Sequence, residues 1–332
     1  MQFGPVPLVE AEGAILAHSV AGDGWHLRKG QVLGTAELAM LRDAGCVEVT
    51  VARIGPDDLH EDEAATRIAA AILPDPEAQG LRVTKAATGR VNLHATGPGV
   101  IALDVFAILG LNSINPMLTL ATLRPWQRVG EGDMVATIKI ISYGLPEVDV
   151  ATGCALIGPA IRLERPLYGN AVLIETQAGR DLGPKGRNAL ALRLNRLGLT
   201  LGPRRIVAHD TPTLAAAILA EAAGPEEVMF ILTDSATSDP DDVAPLALRR
   251  AGGTIVQFGI PVDPGNLLFL GHIGQKPVIG LPGCARSPAL NGADWVLERV
   301  ICGVAVTPAD LSAMGVGGLL KEIASRPRPR DI

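Results

Sequence analysis

Residues 227–243, which read EVMFILTDSATSDPDDV, decide the fold. The run EVMFILT (227–233) is apolar and rich in strand-forming residues, which is typical of a strand buried on both faces. The polar segment TDSATSDPDD (233–242) consists of turn-forming residues, and a helix is predicted from about Asp241 to Ala251. A buried strand that leads through a polar loop into a helix indicates a βαβ unit.

The sequence on both sides repeats this alternation. Further strands are predicted at AVLIET (171–176), RIVAH (205–209), TIVQF (254–258) and KPVIGL (276–281). One helix is predicted at 188–197, and a second begins after a cap at Asp210 or Thr211. A third lies within SPALNGADWVLERVI (287–301). Because such alternation implies crossover connections, we expect a three-layer α/β domain over residues 166–304, with a mainly parallel sheet and helices on both faces.

The preceding residues carry shorter, mixed elements. A small segment (1–56) has a helix capped by Thr35 and a strand VEVTVA (47–52). A mixed α+β, β-rich region (57–165), a lid or a dimerisation surface, is expected to follow, and residues 305–332, which end in SRPRPRDI, are predicted to be a tail or linker. The predicted elements of the mixed region are a helix at DDLHEDEAATRIAAAILP (57–74), strands at TGRVNLHA (88–95) and GVIALDVFAIL (99–109), a hairpin or small sheet turning at GEGD (130–133), and a connector with one strand at 151–166.

Composition excludes several classes of protein. The chain is 48% apolar, 19% charged and 3% aromatic, which is typical of a globular protein. Its net charge of −6 argues against sequence-independent nucleic-acid binding, and no run of 18 apolar residues predicts a membrane span. The first residues have neither a basic region nor a long apolar one, so we expect no secretory signal there. Reduced thiols in a cytoplasmic protein are the expected state of Cys46, Cys154, Cys284 and Cys302.

In a parallel sheet, ligands bind outside the carboxyl ends of the strands, and this rule selects the loops 177–186, 233–242 and 282–288. The second loop combines hydroxyls with carboxylates and leads into a helix, where backbone N–H groups can bind phosphate if a hard cation such as Mg²⁺ offsets the carboxylates. The simpler interpretation, which we rank first on sequence alone, is a helix cap among solvated side chains. The residues concerned are Thr233, Asp234, Ser235, Thr237, Ser238, Asp239, Asp241 and Asp242.

Other segments carry weaker signals. In PGCARSP (282–288), Arg286 could meet an anion, and Cys284 is either a nucleophile or a packed thiol. GPKGRN (183–188) lacks the ending of a phosphate-binding P-loop. His60 and Glu63 could share a metal, although a solvated first helical turn is the better interpretation.

Taken in chain order, these loops resemble the molybdopterin-binding domain of the MoaB/Mog family, in the version found in MoeA-type molybdenum-cofactor biosynthesis proteins. Residues 233–243 are similar to the family's Ser-Gly-Gly-x-Ser-x-Gly-x-x-Asp segment, with Thr237 at the hydroxyl position and Asp242 at the acidic position. Residues 8–20 and 29–53 also look like MoeA. The remaining matches are Pro264 and Gly265 in a Pro-Gly-Lys-Pro-like turn, Leu281, Pro282, Gly283 and Ser287 in a Leu-Pro-Gly-Asn-Pro-like segment, and Asn188 and Asp210 at the family's Asn and Asp positions.

The resemblance implies binding of molybdopterin, or of its adenylylated or metal-loaded form, in molybdenum-cofactor biosynthesis, with a molybdotransferase-like metal insertion that uses Mg²⁺. Asp242, Asp239 and Asp234 would then be the catalytic acids, with Asp242 and Asp239 as metal ligands. The ligand would be held by Ser235, Thr237, Ser238, Pro264, Gly265, Asn266, Gly283, Cys284, Ser287, Asn188 and Asp210. A homo-oligomer, and a MobA-like nucleotidyltransferase module or a molybdoenzyme as partner, are also implied.

Departures from the family pattern leave other functions open. Asp234 and Ser235 replace the family's Gly-Gly pair, Asn266 replaces its lysine, and residues 176–180 lack the two acids that follow its first strand. These changes favour a non-catalytic molybdopterin-binding or sensing module that acts through a partner enzyme. A nucleotide-processing relative of the same fold is a third possibility.

Overall fold

The computed structural model describes residues 1–179, 181 and 183–320. The chain forms two compact units. The first comprises residues 1–96, 101–125 and 131–163, and the second comprises 97–100, 126–130 and the chain from 164 onward. The predicted division at 56, 165 and 304 stays a prediction, and the SRPRPRDI end of the predicted tail lies outside the described residues.

Residues 1–164 form mostly short elements. They are β1 (Gln2–Pro7), β2 (Ile15–Leu16), β3 (Val20–Gly22), β4 (Trp25–Leu27), α1 (Thr35–Asp43), β5 (Glu48–Arg53), β6 (Asp58–His60), α2 (Glu61–Ile72), β7 (Leu81–Val83), β8 (Arg90–Ala95), β9 (Gly99–Leu103), α3 (Val105–Asn112), β10 (Leu118–Thr122), β11 (Arg128–Val129), β12 (Met134–Ile140), β13 (Gly144–Pro146), α4 (Glu147–Ile157) and β14 (Ile161–Glu164). The first unit contains the antiparallel sheets β1-β5-β2 and β10-β12-β8-β7.

Several expectations for these residues are wrong in detail. Thr35 is the first residue of α1 and not its cap, because Gly34 holds the cap position and donates its N–H to Glu37. The predicted strand 99–109 changes into helix α3 at Asp104, whose carboxylate accepts the N–H of Ala107 and so begins the helix. Residues 151–157 belong to α4, and only the rest of that connector forms a strand.

The predicted hairpin at GEGD does not form. β12 lies between β8 and β10, so it has no free edge for β11, which pairs with β9 instead.

The second unit contains β15 (Asn170–Gln177), α5 (Lys185–Asn195), β16 (Thr200–Ala208), α6 (Thr211–Ala222), β17 (Val228–Leu232), α7 (Val243–Arg250), β18 (Thr254–Phe258), β19 (Phe269–Ile273), β20 (Lys276–Leu281), α8 (Gly292–Ile301) and α9 (Pro308–Ala313). Its six-stranded sheet has the order β16-β15-β17-β20-β19-β18. β15, β16, β17 and β20 pair in parallel, whereas β19 is antiparallel to both neighbours. The sheet is therefore mixed, and β19 lies between the predicted strands 254–258 and 276–281, where no strand was expected.

Strand β17 shows how the sequence produces the layers. All its residues are buried, and alternate side chains enter different cores. Phe230 and Leu232 pack in the core that holds residues of α5 and α8, whereas Met229 and Ile231 pack with α6 and α7. Helices thus cover both faces of the sheet, as period-two alternation within a fully apolar strand requires. Among the helices of the described residues, none is long and apolar enough to cross a membrane.

Glu298 of α8 is a buried carboxylate in this second unit. Its Oε1 lies 3.0 Å from Nε of Arg128, and 13% of its side chain is exposed. Burial raises the pKa of Glu298 to about 7, nearby Asp294 adds to the rise, and Arg128 and Arg196 oppose it. The folded protein therefore binds a proton at this site more tightly than the unfolded chain does.

We expect the free energy of unfolding to fall as the pH rises from about 5 to about 8. In this range the carboxyl of Glu298 has already released its proton in the unfolded chain, whereas the folded protein still binds the proton and releases it only near pH 7. Glu298→Gln should remove most of this dependence and make the protein more stable at pH 8. Urea unfolding at several pH values measures both effects. The exposed Glu10→Gln serves as the control, and an unchanged pH slope in Glu298→Gln would contradict the assignment.

Candidate functional site

The sheet has a switch in strand order between β15 and β17. The chain leaves β15 and returns on one side as β16, and it then crosses to the other side of β15 as β17. Such a switch opens a crevice at the carboxyl ends of the strands, where ligands of open α/β sheets bind. We call the polar cluster here the switch-point site and define it by Thr176, His209, Asp234, Ser235 and Arg286.

A chain of hydrogen bonds joins the ends of three strands at this site. The backbone N–H of Asp234 donates to Oγ1 of Thr176 at 3.0 Å, and that oxygen lies 2.8 Å from Nδ1 of His209. On the other side of the ring, Nε2 of His209 lies 3.0 Å from Oγ of Ser235. Asp234 also accepts the N–H of Ala178 at 3.0 Å. The loops after β15, β16 and β17 are therefore held together by polar contacts.

The direction of these hydrogen bonds follows from the burial of Thr176. Only 1% of this residue is exposed, and its oxygen already accepts the N–H of Asp234. Among the described contacts, Nδ1 of His209 is the one acceptor for the Thr176 hydroxyl proton. The neutral His209 ring then carries its proton on Nε2 and donates to Ser235. Since Ser235 is exposed, its own hydroxyl proton is left for an acceptor outside the chain.

Arg286 brings the loop after β20 to the same place. Its Nη2 donates to the backbone oxygen of Thr233 at 2.6 Å. Burial lowers the pKa of Arg286, while the carboxylates of Glu175 and Asp234 oppose that change. A Cβ on Gly186 would lie 2.5 Å from Leu232 and 3.3 Å from Nη1 of Arg286, so glycine lets the first turn of α5 approach the site. The site therefore has a cationic side, formed by Arg286 beside the N-terminus of a helix.

Arg193 of α5 fixes the loop that carries Arg286. The side chain is 4% exposed, and its Nε lies 2.6 Å from Oδ1 of Asp294. Its remaining nitrogens donate to backbone oxygens of the loop after β20, namely those of Ala285, Ser287 and Ala289, at 2.8 to 3.0 Å. Asp294 in turn accepts the N–H of Asn291, the N-cap of α8, and so completes a capping box. One buried ion pair thus fastens the loop to two helices.

The residues predicted between 234 and 242 divide into two groups. Asp234 and Ser235 belong to the switch-point site, and Thr237 is buried with its hydroxyl 3.2 Å from that of Thr233. The other four, Ser238, Asp239, Asp241 and Asp242, have their contacts within this loop and α7. Asp242 accepts the N–H groups of Val243 and Ser238, and Asp239 accepts that of Asp241.

The two carboxylates predicted as magnesium ligands, Asp242 and Asp239, have backbone partners in their own loop. Within the described part of the chain, no group of three or more His, Cys, Asp or Glu side chains is placed to hold a metal ion. Asp242 caps α7, and Asp239 caps the turn before it. This agrees with the simpler interpretation of the sequence, a helix cap.

The remaining predicted residues lie on elements that lead into or out of the site. Gly283 and Cys284 lie in the short helical turn after β20, next to Arg286, and Ser287 supplies one carbonyl to Arg193. Asp210 caps α6 directly after His209. Asn188 is exposed on α5.

The turn Pro264–Gly265–Asn266 packs on the N-terminus of α8. The oxygen of Pro264 accepts the N–H of Gly292 at 2.8 Å. A Cβ on Gly265, whose φ is +129°, would lie 2.4 Å from the nitrogen of Gly292. Within the described residues, no hydrogen bond links this turn to residues 233–242, so its glycine is explained by packing.

Thr176, His209 and Arg193 were missed as site residues. His209 is the last residue of the predicted strand 205–209 and directly follows the observed strand β16, so the rule about carboxyl ends could have selected it. Thr176 is the last residue of a predicted strand and looked like core. Nothing in the local sequence around Arg193 indicates that its partner lies 101 residues away.

Comparisons with known proteins give limited additional information. A sequence-family model described as a domain of unknown function (DUF8806) matches residues 5–53, and no sequence among curated proteins is significantly similar. A molybdopterin biosynthesis MoeA protein from Pyrococcus horikosii matches with 15% identity over 93% of this chain and 75% of that chain, at a TM-score of 0.29. A molybdenum cofactor biosynthesis protein B matches with 16% identity over 40% of this chain and 88% of that chain, at a TM-score of 0.28. Scores this far below 0.5 do not establish a common fold.

Replacing Arg193 by leucine should lower the free energy of unfolding by about 3–5 kcal/mol, because Asp294 would stay buried without its partner. Chemical denaturation measures the change. Arg205→Leu is the matched control, since Arg205 forms an exposed ion pair with Glu221 in the same unit and should cost at most about 1 kcal/mol. Equal effects of the two substitutions would show that Arg193 does not organise the loop.

Proposed function

We propose that the second unit binds molybdopterin at the switch-point site, without a catalytic step of its own. The observation that carries the proposal is the continuous set of hydrogen bonds that joins Asp234, Thr176, His209 and Ser235 at the ends of three strands. When the N–H of a histidine donates to a serine hydroxyl, the proton of that hydroxyl can be donated in turn to an oxygen atom of a ligand. The order of the loop motifs, which resembles that of the MoaB/Mog family, supports molybdopterin as this ligand.

The charges around the site favour a ligand that carries a phosphate at one end and N–H donors at the other. Arg286 and the N-terminus of α5, where Lys185 is exposed, favour a phosphate. The carboxylates of residues 234–242 would repel a phosphate, but they accept hydrogen bonds from N–H groups. A pterin ring offers such N–H groups, and molybdopterin joins a pterin to a phosphate. We therefore place the phosphate near Arg286 and the pterin edge toward Asp234.

Binding without metal insertion is favoured by the contacts of Asp242 and Asp239. Both carboxylates accept backbone N–H groups of their own loop, Asp242 through both of its oxygens and Asp239 through Oδ1, which accounts for these two acids without a metal ion. A magnesium-dependent molybdotransferase reaction is therefore not part of the proposal. The bound pterin would be passed to a partner, either a MobA-like nucleotidyltransferase module or a molybdoenzyme.

The first test asks whether the protein captures the pterin. Purified protein is incubated with molybdopterin, and bound pterin is quantified by acid-iodine oxidation and fluorescence, with and without Mg²⁺. We expect saturable binding at one site per chain that Mg²⁺ does not change. Ser235→Ala and Arg286→Gln should each weaken binding by about tenfold or more, the loss of one hydrogen bond to a charged group.

Two controls sharpen this test. Ser312→Ala removes a hydroxyl of α9 that is bonded to Pro308, and it should leave the affinity unchanged. Inorganic phosphate and free pterin, added separately, should each compete weakly if both ends of the ligand are recognised. Absence of saturable binding, or equal binding by Ser235→Ala and the wild type, would refute the proposed function.

A further inference from the structure

A cavity of about 790 Å³ lies between α2 and the chain that runs from β7 toward β8, within the first unit. α2 packs on β8 and β12, whereas β7 is the edge strand of the same sheet. The volume falls within the roughly 300–1,000 Å³ that pockets for small molecules occupy. We call it the α2–β7 cavity and define it by Ala69, Ala70, Leu73, Val83, Lys85 and Val91.

The wall of this cavity is mainly apolar. Leu73 and Val91 are buried at its base, whereas Val83 on the edge strand is 46% exposed. α2 therefore covers the inner side of β8 but leaves the inner side of β7 open. A concave apolar wall next to solvent is the usual form of a site that binds the apolar part of a small molecule.

Lys85 lies on this apolar wall. β7 and β8 pair in antiparallel register, and the hydrogen bond from the N–H of Thr84 to the oxygen of Asn92 continues that register beyond β7. Lys85 is therefore opposite Val91, and side chains opposite each other in an antiparallel pair point to the same side of the sheet. The alternation along the strand calls for an apolar residue at this position, and the chain has a lysine.

The other charges that line the cavity are offset within the chain. Arg67 forms ion pairs with Glu63 at 2.7 Å and with Glu147 at 2.8 Å. Asp62 accepts a backbone N–H from the turn before β8 at 2.6 Å, and it lies in the first turn of α2, where the helix N-terminus stabilises a carboxylate. Within the described residues, no hydrogen bond or ion pair engages the ammonium group of Lys85.

We propose that the α2–β7 cavity binds a small molecule of the fatty-acid type, with an apolar chain and a terminal carboxylate. The chain lies on the wall formed by Leu73, Val83 and Val91, and the carboxylate pairs with the ammonium group of Lys85. An amine in place of the carboxylate fits less well, because the carboxylates of the cavity already have partners. This inference stands on the first unit and does not depend on the proposed pterin site.

Two structural roles of Lys85 compete with this proposal. The stem of a lysine can cover apolar surface while its charge stays in water, and an inward-pointing charge on an edge strand prevents pairing with another chain. In both roles the ammonium group needs only water, so its removal would not change the affinity for a carboxylate. Binding measurements on a variant of Lys85 therefore separate these roles from recognition of a ligand.

Displacement of a fluorescent dye from the full chain tests the proposal. The dye is 1-anilinonaphthalene-8-sulfonate, which is anionic and fluoresces in apolar sites, and decanoate is the competitor. We expect saturable displacement by decanoate below about 1 mM. Decanol and decylammonium should each act at least about tenfold more weakly, because neither offers a negative charge to Lys85. Absence of displacement by decanoate, or equal displacement by decylammonium, would overturn the inference.

Lys85→Met tests the charge. It should weaken displacement by decanoate about tenfold and leave displacement by decanol near that of the wild type, since decanol makes no ion pair. Arg82→Met is the matched control, because Arg82 is exposed on the opposite side of the same strand, and it should leave both values unchanged. Equal affinity of Lys85→Met and the wild type for decanoate would give the lysine a structural role only and refute the proposal.

Ala70→Phe tests the place of binding, because its ring would occupy the cavity. Displacement of the dye by decanoate should be lost in this variant. Ala70 is exposed, so circular dichroism and the unfolding midpoint should stay near those of the wild type. Ala216→Phe, at an exposed position of α6 in the other unit, should behave as the wild type does. Displacement that survives Ala70→Phe, or that Ala216→Phe abolishes equally, would place the binding elsewhere and contradict the inference.

Discussion

The buried guanidinium of Arg193 is the interaction on which the arrangement of the candidate site depends. A charge taken out of water must be paired and fully hydrogen-bonded, or it destabilises the fold by several kcal/mol. Arg193 meets this requirement through Asp294 and the backbone oxygens of the loop after β20. That loop consequently has one favoured conformation, in which Arg286 reaches the carbonyl of Thr233. Core packing beneath the sheet supports the strands, but this polar contact sets the position of the loop.

The sequence predicted the second unit better than the first. In the second unit, a fully apolar run such as that of β17 indicates a buried strand. Capping residues such as Asp210 and Asn291 mark where helices begin. In the first unit, apolar residues continue from β9 into α3, and only the capping bond of Asp104 separates strand from helix. Short strands such as β13, which pairs with β6, depend on partners distant in the chain, which local patterns do not reveal.

Part of the candidate site could also be predicted from the sequence. The carboxyl-end rule selected the loop that holds Asp234 and Ser235, because loop positions follow from the order of elements. The rule by itself does not separate capping from ligand binding at Asp242 and Asp239, because both use the same residue types, although a helix cap was the interpretation ranked first. Thr176 and His209 gain their roles from parallel pairing, which brings Gln177 beside Ala208 at the end of neighbouring strands. The switch-point site is thus a product of topology more than of any local motif.

The protonation of the His209 ring is the measurement that tests the central claim most directly. The ¹⁵N chemical shifts of the ring nitrogens, recorded at about pH 8 with ¹⁵N-labelled histidine, report which nitrogen carries the proton. We predict a proton on Nε2 and none on Nδ1, which leaves the Ser235 hydroxyl free to donate to a ligand. A proton on Nδ1 would mean that Ser235 donates to His209, and the proposed recognition of an oxygen-rich ligand would then be contradicted.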